Sequence, residues 1–359
     1  MPKPLPTILL VLLTLGSIAA CTPAPAPVPK QEPTPAEQTT GQSTKQWHNA
    51  GTIPLSVESH QTVVVGDRVY LLGGWNAFTR AHDEVFFADL TAEGILAAWQ
   101  ETTAPMPLKL QHHQAIAHEG AIYVIGGDDQ FGPDSKVFDR IFRAVPAADG
   151  DITAWQEVGQ LPEPRTVHAV AIVGDRLYVI GGTREFEKGT AVFDTVFAAD
   201  IAADGTVGEF EQLEPFPTTI SWVTATVVGE QIVAIAGKTN FAGGVSGEVW
   251  SAQVDESGAL SAFEPISETV ARQRHTTVLV GDQLVLIAGG ADQVLATVEA
   301  ADLKADGSLS PWQELPPLPG TRYAHAAFVH EGSIYVSGGF VKYGSGETSD
   351  QVFRLDWGN

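Results

Sequence analysis

The stretch RVYLLGG, Arg68 to Gly74, decides the fold because closely similar stretches recur along the whole chain. In each of them a short apolar run ends in a glycine doublet or its near equivalent. In chain order these doublets are Gly73-Gly74, Gly126-Gly127, Gly181-Gly182, Ala236-Gly237, Gly289-Gly290 and Gly338-Gly339. Apolar, β-branched or aromatic runs bounded by glycine are typical of strands that are buried on both faces. Six recurrences at a period of about 50–55 residues therefore indicate a repeat architecture built from strands.

The residues before each doublet predict the first two strands of the repeat, a and b. Fourteen or fifteen residues before the second glycine stand His60, His113, His168, Trp222, His275 and His325. Midway lies an acidic residue next to a glycine, as in Gly66-Asp67 and Glu119-Gly120. Such pairs favour tight hairpin turns, because glycine adopts positive φ without strain.

The second half of each repeat predicts a second hairpin, between strands c and d. Phe86, Phe142, Phe197, Trp250 and Glu299 each lie thirteen residues before Trp99, Trp155, Phe210, Phe263 and Trp312. A constant separation is expected of a hairpin with fixed register, since a one-residue slip would turn every buried side chain outward.

The sixth repeat lacks its last aromatic residue, and Trp47 supplies it from the other end of the chain. Trp47 precedes His60 by thirteen residues, the usual spacing between one repeat and the next. The segment around Trp47 is therefore predicted to form the last strand of the final sheet, which removes the exposed edges of an open array. The predicted fold is an all-β, six-bladed β-propeller over residues 46–359, with four antiparallel strands per blade, closed by the N-terminal strand.

The doublets and spaced aromatics resemble the kelch repeat family over residues 46–359. This resemblance implies the propeller fold but leaves function open, because kelch propellers include enzymes, sugar-binding proteins and protein-interaction platforms. In length, blade count and export the chain is similar to the bacterial sialic acid epimerases. Copper radical galactose oxidase, another kelch enzyme, needs a cysteine cross-linked to tyrosine, and this propeller has no cysteine.

Residues 1–20 predict an export signal and residues 21–45 a tether. Ile18-Ala19-Ala20-Cys21 resembles a bacterial lipobox, which implies cleavage before Cys21 and a lipid on its thiol; the alternative is an ordinary signal peptide cleaved near Ala20. Cys21 is the sole cysteine of the chain, so no internal disulfide can form. The Pro- and Thr-rich segment after Cys21 cannot bury a core and predicts an extended linker. We expect an extracytoplasmic protein anchored to the membrane, to the outer one if the cell has two.

The charge of −23 at a pI near 4.6 argues against nucleic-acid binding, which needs a basic face. Many acidic residues fall in the a–b and c–d turns, where solubility and turn chemistry account for them. We expect a monomer that needs no cofactor and no metal.

The opposite face, formed by the b–c loops, is where we expect binding, because these loops vary in length on a constant scaffold. Four residues after the second glycine stand Phe78, Phe131, Phe186, Phe241, Val294 and Tyr343. The five aromatic residues among them form either a stacking rim around the channel mouth or repeated structural contacts between blades. Both interpretations remain open at the level of sequence.

Basic residues also gather near this face. Arg165, Arg272 and Arg322 each lie three residues before a repeat histidine, and Arg184, Lys109, Lys238, Arg274 and Lys342 lie nearby. Arginine can hold a carboxylate bidentately, so a sugar acid is a candidate ligand; pairing with backbone is the structural alternative. The five histidines are too widely spaced to share one metal ion, and bonding to backbone near the doublets is the expected role.

The sequence thus favours a membrane-anchored binding or scaffold propeller whose b–c loop face takes a glycan or protein partner. The alternative is a sugar-acid epimerase or mutarotase, which needs an acid/base group beside a carboxylate-binding arginine. The acid/base candidates on the loops are His82, Asp83, Asp128, Asp129, Glu185 and Glu187.

Overall fold

The computed structural model describes residues 45–357, apart from 92, 133, 186–191, 241–243 and 305. Contacts divide the chain into two units, Met1–Gln42 and Ser43–Asn359, and the described residues belong to the second. Cys21, Phe186, Glu187 and Phe241 lie outside the described residues. The described residues contain no helix, and so none of a length and apolarity that could cross a membrane.

Six four-stranded antiparallel sheets make up the fold, and each is one blade with strands a to d from the centre outward. Blade 1 contains β2 (Gln61–Val65), β3 (Arg68–Leu72), β6 (Val85–Asp89) and β7 (Gln100–Glu101), with a small hairpin of β4 (Trp75–Asn76) and β5 (Arg80–Ala81) in its b–c loop. Blade 2 contains β8 (Gln114–His118), β9 (Ala121–Ile125), β10 (Arg140–Ala144) and β11 (Gln156–Gln160). Blade 3 contains β12 (Ala169–Val173), β13 (Arg176–Ile180), β14 (Val196–Asp200) and β15 (Glu211–Gln212). Blade 4 contains β16 (Thr224–Val228), β17 (Gln231–Lys238), β18 (Val245–Gln253) and β19 (Glu264–Glu268). Blade 5 contains β20 (Thr276–Val280), β21 (Gln283–Ile287), β22 (Val298–Asp302) and β23 (Gln313–Leu315). Blade 6 contains β24 (Ala326–His330), β25 (Ser333–Ser337), β26 (Gln351–Asp356) and β1 (Trp47–Thr52).

The ring closes through the N-terminal strand, as predicted. β1 pairs antiparallel with β26, with Trp47 opposite Leu355 and Asn49 opposite Phe353. Trp47 and Phe353 share one buried apolar cluster with blade 5. The Trp47 indole also donates a 2.9 Å hydrogen bond to the carbonyl of Pro316 in blade 5. The first and the last of the described strands are thus held in one sheet, which closes the ring at the junction.

The predicted register is wrong by one residue in blades 4 and 5. The counterpart of the histidines in blade 4 is Val223, and Trp222 occupies the position before it, with φ 48° like its equivalents in the other blades. In blade 5 the doublet is Ala288-Gly289, because Ala288 has φ 50° and the Cβ of His275 lies against Gly289. No histidine marks the position in blade 4, and alanine replaces the first glycine in blade 5, so residue type alone gives the wrong alignment in both.

Adjacent blades are joined by the histidines and by a set of tyrosines. A Cβ added to Gly338 of blade 6 would lie 2.5 Å from Cε1 of His60 in blade 1, so the doublet makes room for the imidazole of the next blade. On the opposite end, tyrosine hydroxyls of strand b donate to glycine carbonyls in the c–d turn of the next blade. These bonds are Tyr70 to Gly150, Tyr123 to Gly205, Tyr178 to Gly258 and Tyr335 to Gly94, at 2.9, 3.1, 2.7 and 2.7 Å.

A ring of left-handed residues surrounds the channel at the loop face. Its members each lie two residues before the first residue of strand a and have φ between 48° and 54°: Ser59, His112, Val167, Trp222, Arg274 and Ala324. Backbone hydrogen bonds link neighbours around this ring, for example from Trp222 to Val167 and from Ala324 to Arg274, both at 2.8 Å. The shared backbone conformation places one side chain from each blade at the channel mouth, and the sheets themselves keep regular strand pairing.

Candidate functional site

The loop face carries an open cleft of about 350 Å³ at the channel mouth, between blades 1, 2, 4, 5 and 6. Its walls come from the left-handed ring, from the residues that follow the doublets and from the b–c loops. Its described lining includes Trp75, Phe131, Trp222, Lys238, Gln273, Arg274, Gln293, Val294, Tyr323, Phe340 and Tyr343. Trp222 and Arg274 also border the central channel, which has a volume of about 290 Å³. These two side chains therefore stand between the cleft and the channel.

Arg274 is the central cation of the cleft. Its guanidinium carbon lies 5.0 Å from the ring centre of Trp222, 5.6 Å from Tyr323 and 5.7 Å from Phe131. Cations over aromatic faces are held without using their hydrogen-bond donors. Among the described residues this guanidinium makes no hydrogen bond, and the carboxylate it pairs with, that of Glu58, lies 4.0 Å away. The donors of Arg274 are thus available to an incoming anion.

A second cation, Lys238, lies on the same wall. Its ammonium is 5.8 Å from the centre of the Trp222 ring. Burial, and then the charge of Arg274, lower the pKa of Lys238 below its ordinary value. Two neighbouring cations in a partly desolvated cleft repel each other, so an anion between them is favoured.

Glu58 is fully buried beneath Arg274. The Ser59 hydroxyl donates to its Oε2, whereas its Oε1 has no hydrogen-bond partner among the described residues. Desolvation raises the pKa of Glu58, and the opposing charges of His112 and Arg274 lower it by less. The carboxyl of Glu58 is therefore poised to take a proton when the charge around Arg274 changes.

Next to this group, Asp128 orients His112. Asp128 is fully buried and accepts hydrogen bonds from Gln111 Nε2 at 2.6 Å, His112 Nδ1 at 2.9 Å and Thr166 Oγ1 at 2.5 Å. The His112 ring makes edge contacts with Phe131 and Trp222 at the base of the cleft. A carboxylate that fixes one nitrogen of an imidazole is the arrangement used to position an acid/base group.

The predicted aromatic rim is present in part. Phe131 and Tyr343 line the cleft, whereas Phe78 is 94% exposed and lies outside it. Phe131 also packs against the neighbouring blade, with its ring 5.2 Å from that of Trp75. Phe131 therefore both lines the cleft and makes a contact between blades, so both interpretations of this position apply to it.

Arg165, Arg272 and Arg322 do not reach the cleft, and the structural alternative holds for them. Arg165 donates to the carbonyl of Gly181 and to Thr195 and pairs with Glu163 at 2.9 Å. Desolvation lowers the pKa of Arg165 to about 10. Arg272 pairs with Glu299, and Arg322 donates to Ser349 and Gln351. Through these contacts, each of the three arginines connects the segment before strand a to strand c of the same blade. Arg184 is exposed on its b–c loop and does not line the cleft.

The repeat histidines are buried structural groups. Three of them bond to hydroxyls of the preceding blade: His60 to Ser337, His275 to Thr224 and His325 to Thr276, at 3.0, 3.1 and 2.8 Å. Desolvation lowers the pKa of all five, His113 and His168 included, to about 3. Bonding to neighbouring hydroxyls thus replaces the expected bonding to backbone in His60 and His325, whereas His275 also interacts with the backbone of Ile235 beside the doublet of blade 4.

The other acid/base candidates of the loops stand away from Arg274. His82 bonds to Thr79 at 2.7 Å and to Glu84 at 3.1 Å, and Asp83 pairs with Lys109 at 3.5 Å. Asp129 accepts from the Lys136 backbone, and Glu185 is exposed. Of the described candidates, Asp128 alone belongs to the group around Arg274.

Most of the aromatic wall was not predicted from the sequence. Trp75 and Phe340 follow a doublet directly, and Tyr323 precedes the left-handed ring position of its blade. These positions vary from blade to blade while their neighbours repeat. The sequence contains one signal that could have identified Trp75, Phe340 and Tyr323: each occupies a position that varies between blades and lies next to a position that repeats.

Comparisons with known proteins agree with this architecture. Residues 37–182 match the family model described as the KLHDC2/KLHL20/DRC7 kelch-repeats domain. Kelch-like protein terF of Aspergillus terreus is 23% identical over 80% of this chain and 62% of its own length. Beta-scruin of Limulus polyphemus is 28% identical over 43% of this chain and 16% of its own length. The chain thus spans less than two thirds of either curated relative.

A solved structure, that of YjhT, has the same fold. It superposes with a TM-score of 0.68 at 13% identity, covering 84% of this chain and 95% of the YjhT chain. At this identity the similarity concerns the fold alone. Together with the six sheets, it leads to one conclusion: the chain folds as a six-bladed β-propeller, and it is similar to kelch-repeat proteins over residues 37–182.

Proposed function

We propose that this protein is an extracytoplasmic, lipid-anchored binding protein whose loop-face cleft takes a glycan through a carboxylate group. The observation that carries the proposal is Arg274, a cation with available donors between three aromatic rings in an open cleft. Arginine matches the geometry of a carboxylate, and aromatic rings suit the flat apolar face of a sugar ring.

The charge distribution supports an anionic ligand. The precursor carries a net charge of −23, yet Arg274 and Lys238 meet in this cleft. A local positive site on an acidic protein favours a small anion that enters the cleft and disfavours an extended polyanion, which would meet the negative surface around it.

The test begins with a glycan array and continues with calorimetry of N-acetylneuraminate, D-galacturonate and the neutral sugar D-galactose. We expect saturable binding of at least one acid and no binding of galactose. Arg274→Gln should weaken acid binding roughly ten- to a hundredfold, which is the loss expected for hydrogen bonds to a charged partner.

Arg184→Gln is the matched control, because Arg184 is exposed on the same face but does not line the cleft. It should leave the affinity unchanged. Equal losses in both variants, or tight binding of galactose, would contradict the proposal.

A second candidate function, sugar-acid epimerisation or mutarotation, is favoured by the Asp128–His112 hydrogen bond at the base of the cleft. Its test is NMR exchange between the anomers of N-acetylneuraminate. Acceleration by the wild type that is lost in His112→Gln supports catalysis. Binding without acceleration leaves the binding function as the better description.

A further inference from the structure

The cleft has a feature that a single carboxylate does not explain, a stack of three nearly parallel rings at its outer wall. Tyr323 lies 5.1 Å from Phe340 at an angle of 26°, and Tyr343 lies 5.9 Å from Tyr323 at 28°. Phe340 and Tyr323 are buried, whereas Tyr343 is 64% exposed. The two buried rings thus fix the orientation of the exposed one.

A ring held in this way differs from an ordinary exposed aromatic residue. Single exposed aromatic side chains are common and need no explanation. Tyr343, however, stacks on a ring that is itself stacked and buried, so its open face is preorganised. Rigid tyrosine surfaces bind ligands at low entropic cost, because few rotamers are lost on contact.

The stack also has a fixed relation to the cationic centre. The Tyr323 ring lies under the Arg274 guanidinium at 5.6 Å and beside the Tyr343 ring at 5.9 Å. A ligand group bound to Arg274 and a second ligand group stacked on Tyr343 would therefore be separated by the ring of Tyr323. Such a separation suits two linked units better than one compact ligand.

The polar groups around the stack indicate what the second unit is. The amides of Gln273 and Gln293 line the same cleft, as do the loop glycines Gly344 and Gly346. Side-chain amides and open backbone can bond to several hydroxyls at once, and stacking serves the apolar face of a pyranose ring. A planar aromatic ligand would use the stack and leave these polar groups without a role.

We propose that the open face of Tyr343 is a second subsite, which takes a neutral sugar joined to the acidic unit at Arg274. The ligand class is then an acidic oligosaccharide and not a free sugar acid. This inference rests on the proposed function of the cleft.

The test compares an acidic monosaccharide with the same acid joined to neutral sugars, N-acetylneuraminate against 3′-sialyllactose. The wild type should bind sialyllactose roughly three- to tenfold more tightly, the gain expected from one aromatic contact. Tyr343→Ala should remove this gain and leave the affinity for N-acetylneuraminate unchanged. Tyr343→Phe, which keeps the ring, should keep the gain.

Phe78→Ala is the matched control, since Phe78 is an exposed aromatic residue of the same face outside the cleft. Thermal melting checks that each variant is folded. If both ligands bind equally, or if Tyr343→Ala weakens both to the same extent, the second subsite is wrong while the carboxylate site stands. If neither ligand binds the wild type, the proposed function fails, and the inference fails with it.

Discussion

At the scale of single residues, two arginines in one short segment have opposite roles. Arg272 is fully buried and pairs with Glu299, whereas Arg274, two residues later, opens into the cleft. The difference arises from the backbone, because Arg274 has φ 54° and its neighbours do not share that left-handed conformation. Non-glycine residues in this region are uncommon and are kept where the surrounding structure holds them. In this protein, backbone hydrogen bonds between blades, such as that from Ala324 to Arg274, hold the left-handed residues in this conformation.

Glu58 gives a prediction at the same scale, namely that acid binding is accompanied by proton uptake. The pKa of Glu58 is already raised, mainly by desolvation. A carboxylate ligand at Arg274 brings a further negative charge near Glu58 and raises its pKa again. Glu58 thus has a higher pKa in the complex than in the free protein. Affinity for the acid should therefore increase as the pH falls from the pKa of Glu58 in the complex towards its pKa in the free protein.

Calorimetry in two buffers of different ionisation enthalpy measures this uptake. We expect a fraction of one proton per ligand for the wild type and none for Glu58→Gln. Asp83→Asn, which changes a loop acid outside the cleft, should take up protons like the wild type. Identical uptake in Glu58→Gln would show that another group titrates.

At the scale of elements, the start of strand a depends on neutral histidines between blades. His113 is fully buried, and neither ring nitrogen has a hydrogen-bond partner among the described residues. Its pKa falls from 6.5 to about 3, so the unfolded chain takes up a proton below 6.5 and the folded chain does not until about 3. Folding stability should therefore decrease as pH falls through this window.

Substituting His113 with leucine should reduce this acid sensitivity. Between about pH 7.5 and pH 5, one such histidine contributes roughly 2 kcal/mol of lost stability. Urea unfolding of His113→Leu should show a loss smaller by about that amount, whereas His48→Leu, on the exposed side of β1, should follow the wild type. A pH dependence unchanged in His113→Leu would mean that the imidazole is already charged in the folded protein.

At the scale of the whole molecule, the regular part of the fold was predictable and the site was only partly so. The repeat of doublets, turns and aromatics predicted six blades and their closure by Trp47, because packing between blades imposes the same residues six times. The cleft depends on residues that differ between blades, such as Trp222 and Tyr323, and no periodic pattern marks them. Valine in place of the histidine at position 223 and alanine in place of the glycine at position 288 account for the one-residue errors in register.

The membrane anchor is a prediction that belongs to the whole precursor. Expressed in a bacterium that processes lipoproteins, the wild type should incorporate labelled palmitate and partition into detergent. Cys21→Ala should do neither, because the thiol that carries the lipid is absent. A soluble wild type whose chain begins near residue 21 would favour the ordinary signal peptide instead.

The most direct measurement of acid recognition by this cleft is a crystal structure of the propeller soaked with 3′-sialyllactose. We expect the carboxylate within hydrogen-bond distance of the Arg274 guanidinium and a neutral sugar ring against the open face of Tyr343. A ligand bound on the opposite, turn-bearing face, or in the cleft with its carboxylate turned away from Arg274, would contradict this expectation.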